Sequence, residues 1–224
     1  MSAEEDKRLA AEAAVAEVQG GMLVGLGTGS TAAHMIRALG RMVARGLAVD
    51  AVATSRASAE LAASLDIRVR DFADVARVDL TIDGADEIDG RLLAVKGAGG
   101  AMLREKCVAA ASDRMVVIAD GAKRVERIGA ARVPVEVLPF AGTYVARALA
   151  ERSDARMRIA GAEAYRTDQG NLVFDCAFDL SDPHGVAAWL QAVPGVLGHG
   201  LFLSEVDAAY LADRGIVTKL ERPE

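Results

Sequence analysis

Four ionisable residues lie close together in a stretch that is otherwise apolar and rich in glycine. Asp83 and Asp86 end one apolar run, Lys96 follows a second, and Glu105 follows the glycines at 97, 99 and 100. A carboxylate base with a fixed cation beside it can move a proton next to a polarised carbonyl. In a partly closed pocket the pKa of Glu105 would rise toward neutral pH, as a general base requires. The pattern therefore indicates proton-transfer catalysis.

A second cluster, Gly-Leu-Gly-Thr-Gly-Ser-Thr at 25–31, follows the apolar run 22–26 and opens a predicted helix. Free backbone N–H groups at such a turn attract phosphate, and Thr28, Ser30 and Thr31 add hydroxyl donors. The cluster predicts a site for a phosphate monoester. A plain turn with Ser30 as helix cap is one alternative. A dinucleotide loop is another, although position 30 lacks the required glycine and the next strand ends without an acidic residue.

Composition and charge exclude several classes of protein. The 224-residue chain is 52% hydrophobic but only 4% aromatic and has a net charge of −6, with no basic stripe for nucleic acid. The two cysteines lack CxxC spacing and the three histidines lack metal-ligand spacing, so we expect reduced thiols and no metal. The acidic N-terminus and the absence of an apolar run of about 18 residues predict no signal peptide, no membrane contact and a cytoplasmic location.

Apolar runs alternate with amphipathic segments over residues 1–132. Strands are predicted at 22–26, 49–53, 67–69, 78–82, 92–95 and 115–119, and helices at 2–18, 30–45, 57–65 and 99–111. Fully apolar strands that alternate with helices are typical of a mainly parallel sheet covered on both faces. The predicted fold class is therefore α/β, with a doubly wound, Rossmann-like sheet.

The order of elements changes after residue 132. Strands are predicted at 133–138, 155–160, 172–177 and 196–203, with helices at 141–151 and 183–193. This βαββαβ order is that of a ferredoxin-like α+β unit. Two last strands, at 208–211 and 216–220, can complete the first sheet. We therefore predict a Rossmann-like catalytic domain, 1–132 with 205–224, and an inserted ferredoxin-like domain, 133–204.

Five polar clusters fall at the predicted strand ends: 28–31, 54–55, 83–86, 96 and 120–123. Open α/β sheets bind ligands at the carboxyl ends of their strands, so we expect these clusters to share one pocket. Two alternatives are an ordinary Asp-Gly turn at 83–84 and a solvated helix face for Glu105, which stands between Arg104 and Lys106.

Five motifs occur in one order and spacing: GLGTGSTA (25–32), TIDGADEID (81–89), KGAGGAMLREK (96–106), VVIADGAK (116–123) and PVEVLP (134–139). Together they resemble ribose-5-phosphate isomerase of the A type, from the first helix to the last strands. The resemblance implies an enzyme of the non-oxidative pentose phosphate pathway that interconverts ribose 5-phosphate and ribulose 5-phosphate through a cis-enediolate. It implies a sugar phosphate as the small-molecule partner, no metal or other cofactor, and a homo-oligomer, either a dimer or a tetramer.

The resemblance also implies roles for individual residues. Glu105 would shuttle the proton between C2 and C1, while Asp83, Asp86 and Lys96 would handle the sugar oxygens and the enediolate. The implied substrate-binding residues are Lys7, Thr28, Gly29, Ser30, Thr31, Gly84, Ala85, Gly97, Ala98, Gly99, Asp120 and Lys123.

Two positions depart from the family pattern. Ala98 stands where many members have glycine, so it would be strained if φ were positive there. Arg56 stands where an acidic or small residue is usual, and we expect it to change contacts at the pocket rim.

Three other functions are weaker predictions. A non-catalytic sugar-phosphate sensor would need a DNA-binding appendage, whereas the first 20 residues hold only one predicted helix. An acyl-CoA transferase relative, with glutamate as nucleophile, would need a longer chain with a surface for CoA. A nucleotide-dependent dehydrogenase would need the dinucleotide loop discussed above.

Overall fold

The computed structural model describes residues 2–222. The helices are α1 (Ala3–Val15), α2 (Ser30–Val43), α3 (Arg56–Ala63), α4 (Met102–Ala110), α5 (Gly142–Ala150) and α6 (Pro183–Ala192). The strands are β1 (Leu23–Leu26), β2 (Asp50–Ala53), β3 (Arg68–Val69), β4 (Leu80–Gly84), β5 (Glu87–Ile88), β6 (Ala94–Val95), β7 (Met115–Asp120), β8 (Val133–Val137), β9 (Asp154–Met157), β10 (Ile159–Ala160), β11 (Glu163–Ala164), β12 (Leu172–Ala177), β13 (Val196–His199), β14 (Leu201–Phe202), β15 (Ala208–Asp213) and β16 (Ile216–Glu221).

A seven-stranded sheet with the order β16-β15-β7-β4-β1-β2-β3 forms the larger layer. Every neighbouring pair is parallel except β15 and β16, so the last two strands complete this sheet as predicted. The interior strand β7 is buried along its whole length, which explains why its sequence is almost entirely apolar. The predicted doubly wound, mainly parallel fold is confirmed.

The first helix begins where the sequence predicts. The Ser2 hydroxyl accepts a hydrogen bond from the Glu5 backbone N–H at 3.3 Å, and three acidic residues lie in the first turn, near the positive end of the helix dipole. The helix ends at Val15, three residues earlier than predicted. Its alanine face packs on α2 and the sheet in one continuous core.

A four-stranded antiparallel sheet with the order β13-β8-β12-β9 forms a second layer. With α5 and α6 in the connections, this is the ferredoxin-like order, and the unit has its own core of valine, leucine and phenylalanine. The predicted strand 155–160 divides in two, because β10 leaves the sheet and pairs with β11 in a hairpin. The domain boundaries at 132/133 and 204/205 stay a prediction.

One strand assignment is wrong. The run 92–95 was predicted as a strand of the large sheet, but β6 lies in a separate sheet with the order β14-β6-β5. The predicted strand 196–203 divides for the same reason, since β13 stays with β8 while β14 pairs with β6. A buried strand of two residues can form its backbone hydrogen bonds with short neighbouring strands as well as with a strand of a long sheet. Local sequence does not distinguish these two environments.

No helix within residues 2–222 combines the length and the apolar character needed to cross a membrane.

Candidate active site

A cavity of about 230 Å³ lies where β1, β4 and β6 end, and it is closed on one side by α4. Its wall consists of residues from six segments of the chain: Lys7, Thr28, Gly29, Ser30, Thr31, Gly84, Ala85, Asp86, Lys96, Gly97, Ala98, Gly99, Glu105 and Lys123. All of these were predicted as site residues. Two other predicted residues, Asp83 and Asp120, do not line the cavity.

A buried ion cluster forms the floor of the cavity. Lys96 is 2% exposed, and its Nζ lies 2.9 Å from Asp83 Oδ2 and 3.2 Å from Glu105 Oε2. It also donates a hydrogen bond to the Gly84 carbonyl. Charges removed from water are stable only when they are paired and hydrogen-bonded, and here one cation serves two carboxylates. The alternative of a solvated helix face for Glu105 is therefore wrong, since that side chain is 4% exposed.

Asp83 lies beneath the cavity because its other oxygen is tied to the backbone. Oδ1 accepts hydrogen bonds from the N–H groups of Thr28 at 3.0 Å and Gly84 at 2.7 Å. This arrangement needs glycine at position 27, where a Cβ atom would lie 2.0 Å from Asp83 Oδ1. The buried Asp83 carboxylate thus holds Lys96 and the loop at Thr28, and the role toward the sugar oxygens that the resemblance implies stays a prediction.

The electrostatics of the floor suit proton transfer. Burial raises the pKa of Glu105 to about 8, and the Asp83 charge acts in the same direction, while Lys96 only partly opposes them. Burial by itself would lower the pKa of Lys96, but the two carboxylates outweigh it and raise the value to about 12. At neutral pH, Lys96 is therefore charged, and the pKa of Glu105 is close to the pH. A carboxyl group with such a pKa can both accept and return a proton.

The helix that carries Glu105 starts later than predicted. It was expected to begin near residue 99, with Glu105 in the second turn, but α4 begins at Met102 and Glu105 lies in its first turn. Residues 97–100 form a loop in which Gly97 (φ 106°) and Gly100 (φ 76°) adopt the left-handed conformation. That conformation is incompatible with helix, so the glycines delay the start and place Glu105 at the positive end of the helix dipole.

Ala98 is not strained. The positive φ angles of this loop occur at Gly97 and Gly100 and not at Ala98. The Ala98 backbone N–H donates to Asp86 Oδ2 at 2.9 Å, which ties the loop to the end of β4. The alanine that departs from the family pattern is therefore accommodated without conformational cost.

Two residues that the sequence analysis missed hold this loop from the side of the ferredoxin-like unit. The Arg158 guanidinium donates to the carbonyls of Gly97 at 3.1 Å and Ala98 at 3.0 Å, while it forms an ion pair with Asp175. The Tyr165 hydroxyl donates to the Gly99 carbonyl at 3.2 Å. Three successive carbonyls are thus engaged on the side away from β4. Neither residue stands in a recognisable motif, so no local signal connects them with the loop.

The glycine-rich loop after β1 has unused donors. Gly29, and not Ser30, is the N-cap residue of α2, and no side chain caps that helix end. The Ser30 hydroxyl instead accepts a hydrogen bond from Lys7 Nζ at 3.1 Å, so the alternative of a plain turn capped by Ser30 is wrong. The Thr28 hydroxyl shares a hydrogen bond of 2.7 Å with Thr54. A helix N-terminus with an adjacent lysine is a suitable site for an anion.

Two remaining predictions need correction. Asp120 caps the short 3₁₀ turn 121–123 by accepting a hydrogen bond from the Ala122 N–H at 3.1 Å, so it shapes the turn that carries Lys123 and does not line the cavity. Arg56 lies outside the rim and lines a neighbouring groove, where its backbone N–H donates to Asp168 at 2.8 Å.

Across residues 2–222, no group of three or more His, Cys, Asp or Glu side chains has an arrangement suited to a metal ion.

Comparison with known proteins gives a consistent result. Residues 50–215 match the family model of ribose 5-phosphate isomerase A (phosphoriboisomerase A). A ribose-5-phosphate isomerase A of Sphingopyxis alaskensis is 48% identical over 221 residues, covering 98% of this chain and 97% of that protein. One of Parvibaculum lavamentivorans is 47% identical over 212 residues, covering 91% and 92%.

Solved structures agree with the sequence relatives. The fold superposes with a TM-score of 0.95 on a D-ribose-5-phosphate isomerase in complex with phospho-erythronic acid, which is 34% identical, over 99% of this chain and 100% of that one. It superposes with a TM-score of 0.93 on ribose 5-phosphate isomerase A from Neisseria gonorrhoeae, which is 36% identical, over 100% and 99% of the two chains.

Proposed function

The chain belongs to the ribose 5-phosphate isomerase A family, and on that premise we propose that it interconverts D-ribose 5-phosphate and D-ribulose 5-phosphate in the non-oxidative branch of the pentose phosphate pathway. The observation that carries the proposal is the buried carboxyl of Glu105 at the cavity wall, 3.2 Å from the charged Lys96. The relative solved with phospho-erythronic acid supports a phosphorylated sugar derivative as the ligand.

The proposed reaction is a proton transfer between neighbouring carbons of the open-chain sugar. Glu105 removes the proton from C2 of the aldose, which gives a cis-enediolate, and returns it to C1, while the proton of the C2 hydroxyl passes to O1, so that the ketose forms. Lys96 stabilises the negative charge that develops on the oxygens, and in a buried site each well-placed donor of this kind is worth roughly 3 kcal/mol. Asp83 keeps Lys96 charged and in position, and Asp86 orients the loop through Ala98.

The phosphate is assigned to the opposite end of the cavity. There the N-terminus of α2 lacks a side-chain cap, Thr28, Ser30 and Thr31 line the wall, and Lys7 lies 3.1 Å from the Ser30 hydroxyl. Lys123 supplies a further cation on the cavity wall. Binding energy from the phosphate, which does not react, can then position C1 and C2 beside Glu105.

The direct test is to incubate the purified protein with ribose 5-phosphate and follow ketose formation. We expect turnover that excess chelator leaves unchanged, because Lys96 is the proposed electrophile and no metal ion is needed in that role. Strong inhibition by the chelator would contradict the metal-free route. Binding of ribose 5-phosphate without any turnover would favour the sugar-phosphate sensor instead.

We further propose that the protein is a homo-oligomer, a dimer or a tetramer, that works in the cytoplasm. The segment 138–144 exposes Phe140 at 96% and Tyr144 at 57%, which is unusual for aromatic side chains on a monomer surface. The free thiols of Cys107 and Cys176 suit a reducing compartment. Light scattering after size exclusion should give a multiple of 23.4 kDa, and Phe140→Glu should reduce it, while Ile216→Glu, at another exposed apolar position, serves as the control.

A further inference from the structure

A second cavity, of about 520 Å³, lies beside the active site and shares none of its lining residues. It is bounded by the ends of β2 and β3 and by the side chains of α4 that do not face the active site. Val69, Phe72, Leu103 and Val108 give it an apolar interior. This groove is larger than the active-site cavity and less polar, so it suits a ligand with a flat apolar body better than a sugar.

The charges at the groove are mainly positive. Arg56, Arg70 and Arg104 line it, and Asp71 is the one carboxylate among the lining residues. Asp71 already caps the turn at 72–74 by accepting the Ala73 N–H at 3.0 Å. In a protein of net charge −6, three guanidinium groups around one apolar groove are a local concentration of positive charge. Guanidinium groups bind phosphate oxygens in a bidentate manner.

Two of these arginines share a single acidic partner. Arg104 Nη1 lies 3.6 Å from Asp168 Oδ2, while Arg56 donates its backbone N–H to Asp168 Oδ2 at 2.8 Å and its guanidinium to the Asp168 backbone carbonyl at 3.1 Å. Arg70 lies at the end of β3 with an exposed side chain. These contacts leave donors of both side chains free for a ligand, since each guanidinium group has five N–H donors.

From the apolar interior and the charged edge together, we infer that this groove is a second binding site, for a small organic anion that joins a flat ring to a phosphate, as a nucleoside monophosphate does. The ring packs between Phe72 and the α4 side chains Leu103 and Val108, and the phosphate meets Arg70 and Arg104. The groove lies at the carboxyl edge of a doubly wound sheet, where such folds bind ligands.

The chain contains its own reporter for this site. Cys107 lies on the groove wall and is exposed, whereas Cys176 is buried and its burial raises the pKa to about 12. A thiol reagent should therefore label Cys107 first. We propose to measure the labelling rate while AMP, inorganic phosphate or ribose 5-phosphate is added separately, with Cys107→Ser to identify the labelled thiol.

We expect AMP to slow the labelling of Cys107 at least tenfold at saturation, with ribose 5-phosphate neither reproducing nor displacing the effect. Arg70→Glu should weaken AMP binding at least tenfold, and Ala59→Trp, which fills the groove, should abolish it. Both variants should keep the wild-type thermal unfolding temperature, which shows that they fold. Arg45→Glu, an exposed cation outside the groove, is the matched control.

Four results would overturn the inference. An unchanged labelling rate in the presence of millimolar AMP would remove the site. Equal protection by inorganic phosphate would show general anion attraction only, and protection that ribose 5-phosphate competes away would place AMP in the active site. Protection that rises with protein concentration alone would show that a second copy of the chain covers the groove. Failure of the isomerase assay leaves this experiment interpretable, because its readout is thiol labelling.

Discussion

Two lysines face the active-site cavity in very different surroundings. Lys96, at the floor, is 2% exposed and lies within 2.9 and 3.2 Å of two carboxylates. Lys7, at the rim, keeps 17% of its side chain exposed and lies 2.6 Å from the more exposed Glu4. Coulomb interactions strengthen as the surroundings become less polar, so a charge at the floor has a larger effect on its neighbours than one at the rim.

The difference separates chemistry from binding. At the floor, burial moves the pKa of Glu105 toward neutrality and fixes the cation that a developing oxyanion needs. At the rim, hydrated donors can attract a phosphate, but solvent screens their charges. Variants of the floor should therefore change kcat, and variants of the rim should change KM.

The largest effect is expected for Glu105→Gln, which keeps the shape of the side chain but removes the base. We expect kcat to fall by about 10² to 10⁴, with little change in KM or in the thermal unfolding temperature. Steady-state kinetics measures kcat and KM, and a melting curve measures the unfolding temperature. Glu60→Gln, at an exposed position of α3, is the control. Near wild-type turnover in Glu105→Gln would remove this residue from the base role.

Asp83→Asn should reduce the maximum rate by about 10², because Lys96 loses its nearest partner. It should also shift the pH profile. In the wild type, kcat/KM should rise as the pH increases through about 8, where Glu105 becomes ionised. Asn at position 83 removes a negative charge that raises this pKa, so the rise should move to lower pH.

The pH at which kcat/KM rises distinguishes ionisation of Glu105 from ionisation of the substrate. A phosphate monoester loses its second proton near pH 6, whereas Glu105 is expected to ionise at about 8. A profile of Asp83→Asn that rises at the same pH as the wild type would contradict the electrostatic coupling between residues 83 and 105.

Arg158→Ala tests whether the floor depends on the loop 97–100. Loss of the hydrogen bonds to Gly97 and Ala98 should lower kcat by about 10-fold to 10²-fold, because displacement of a site by 1 Å can reduce the rate that much. The pH at which kcat/KM rises should stay the same, since the charges around Glu105 are unchanged. Arg156→Ala, two residues earlier on β9 and paired with Asp154, is the matched control. Equal effects of the two variants would assign Arg158 a general structural role.

The smallest effect is expected at the rim. Lys7→Ala should raise KM for ribose 5-phosphate about tenfold, which corresponds to a charged hydrogen bond of about 1.4 kcal/mol, and leave kcat within about twofold. Arg8→Ala, in the same helix but paired with Glu5 and Glu12, should change neither constant. A large fall in kcat for Lys7→Ala would place this lysine in the chemistry and remove the distinction between floor and rim.

Most of the architecture was predictable because it depends on patterns that are local in the chain. Apolar strands alternating with helices indicated the large sheet, and the βαββαβ order indicated the second one. The glycines around Thr28 and the polar residues after each strand indicated which segments meet, because parallel strands bring their carboxyl ends to one edge. The strand containing Val95 was placed in the wrong sheet, since two apolar residues carry no information about their partners.

The sequence by itself determined that Thr28–Thr31, Asp86 and Lys96 surround one cavity, because each follows a predicted strand, whereas Lys7 was implied only by the resemblance. Only the tertiary structure decided their roles within it. It put Asp83 beneath the cavity, Glu105 in the first turn of α4, and Arg158 and Tyr165 behind the loop. These outcomes depend on burial and on contacts between distant segments, and both arise only when the chain has folded.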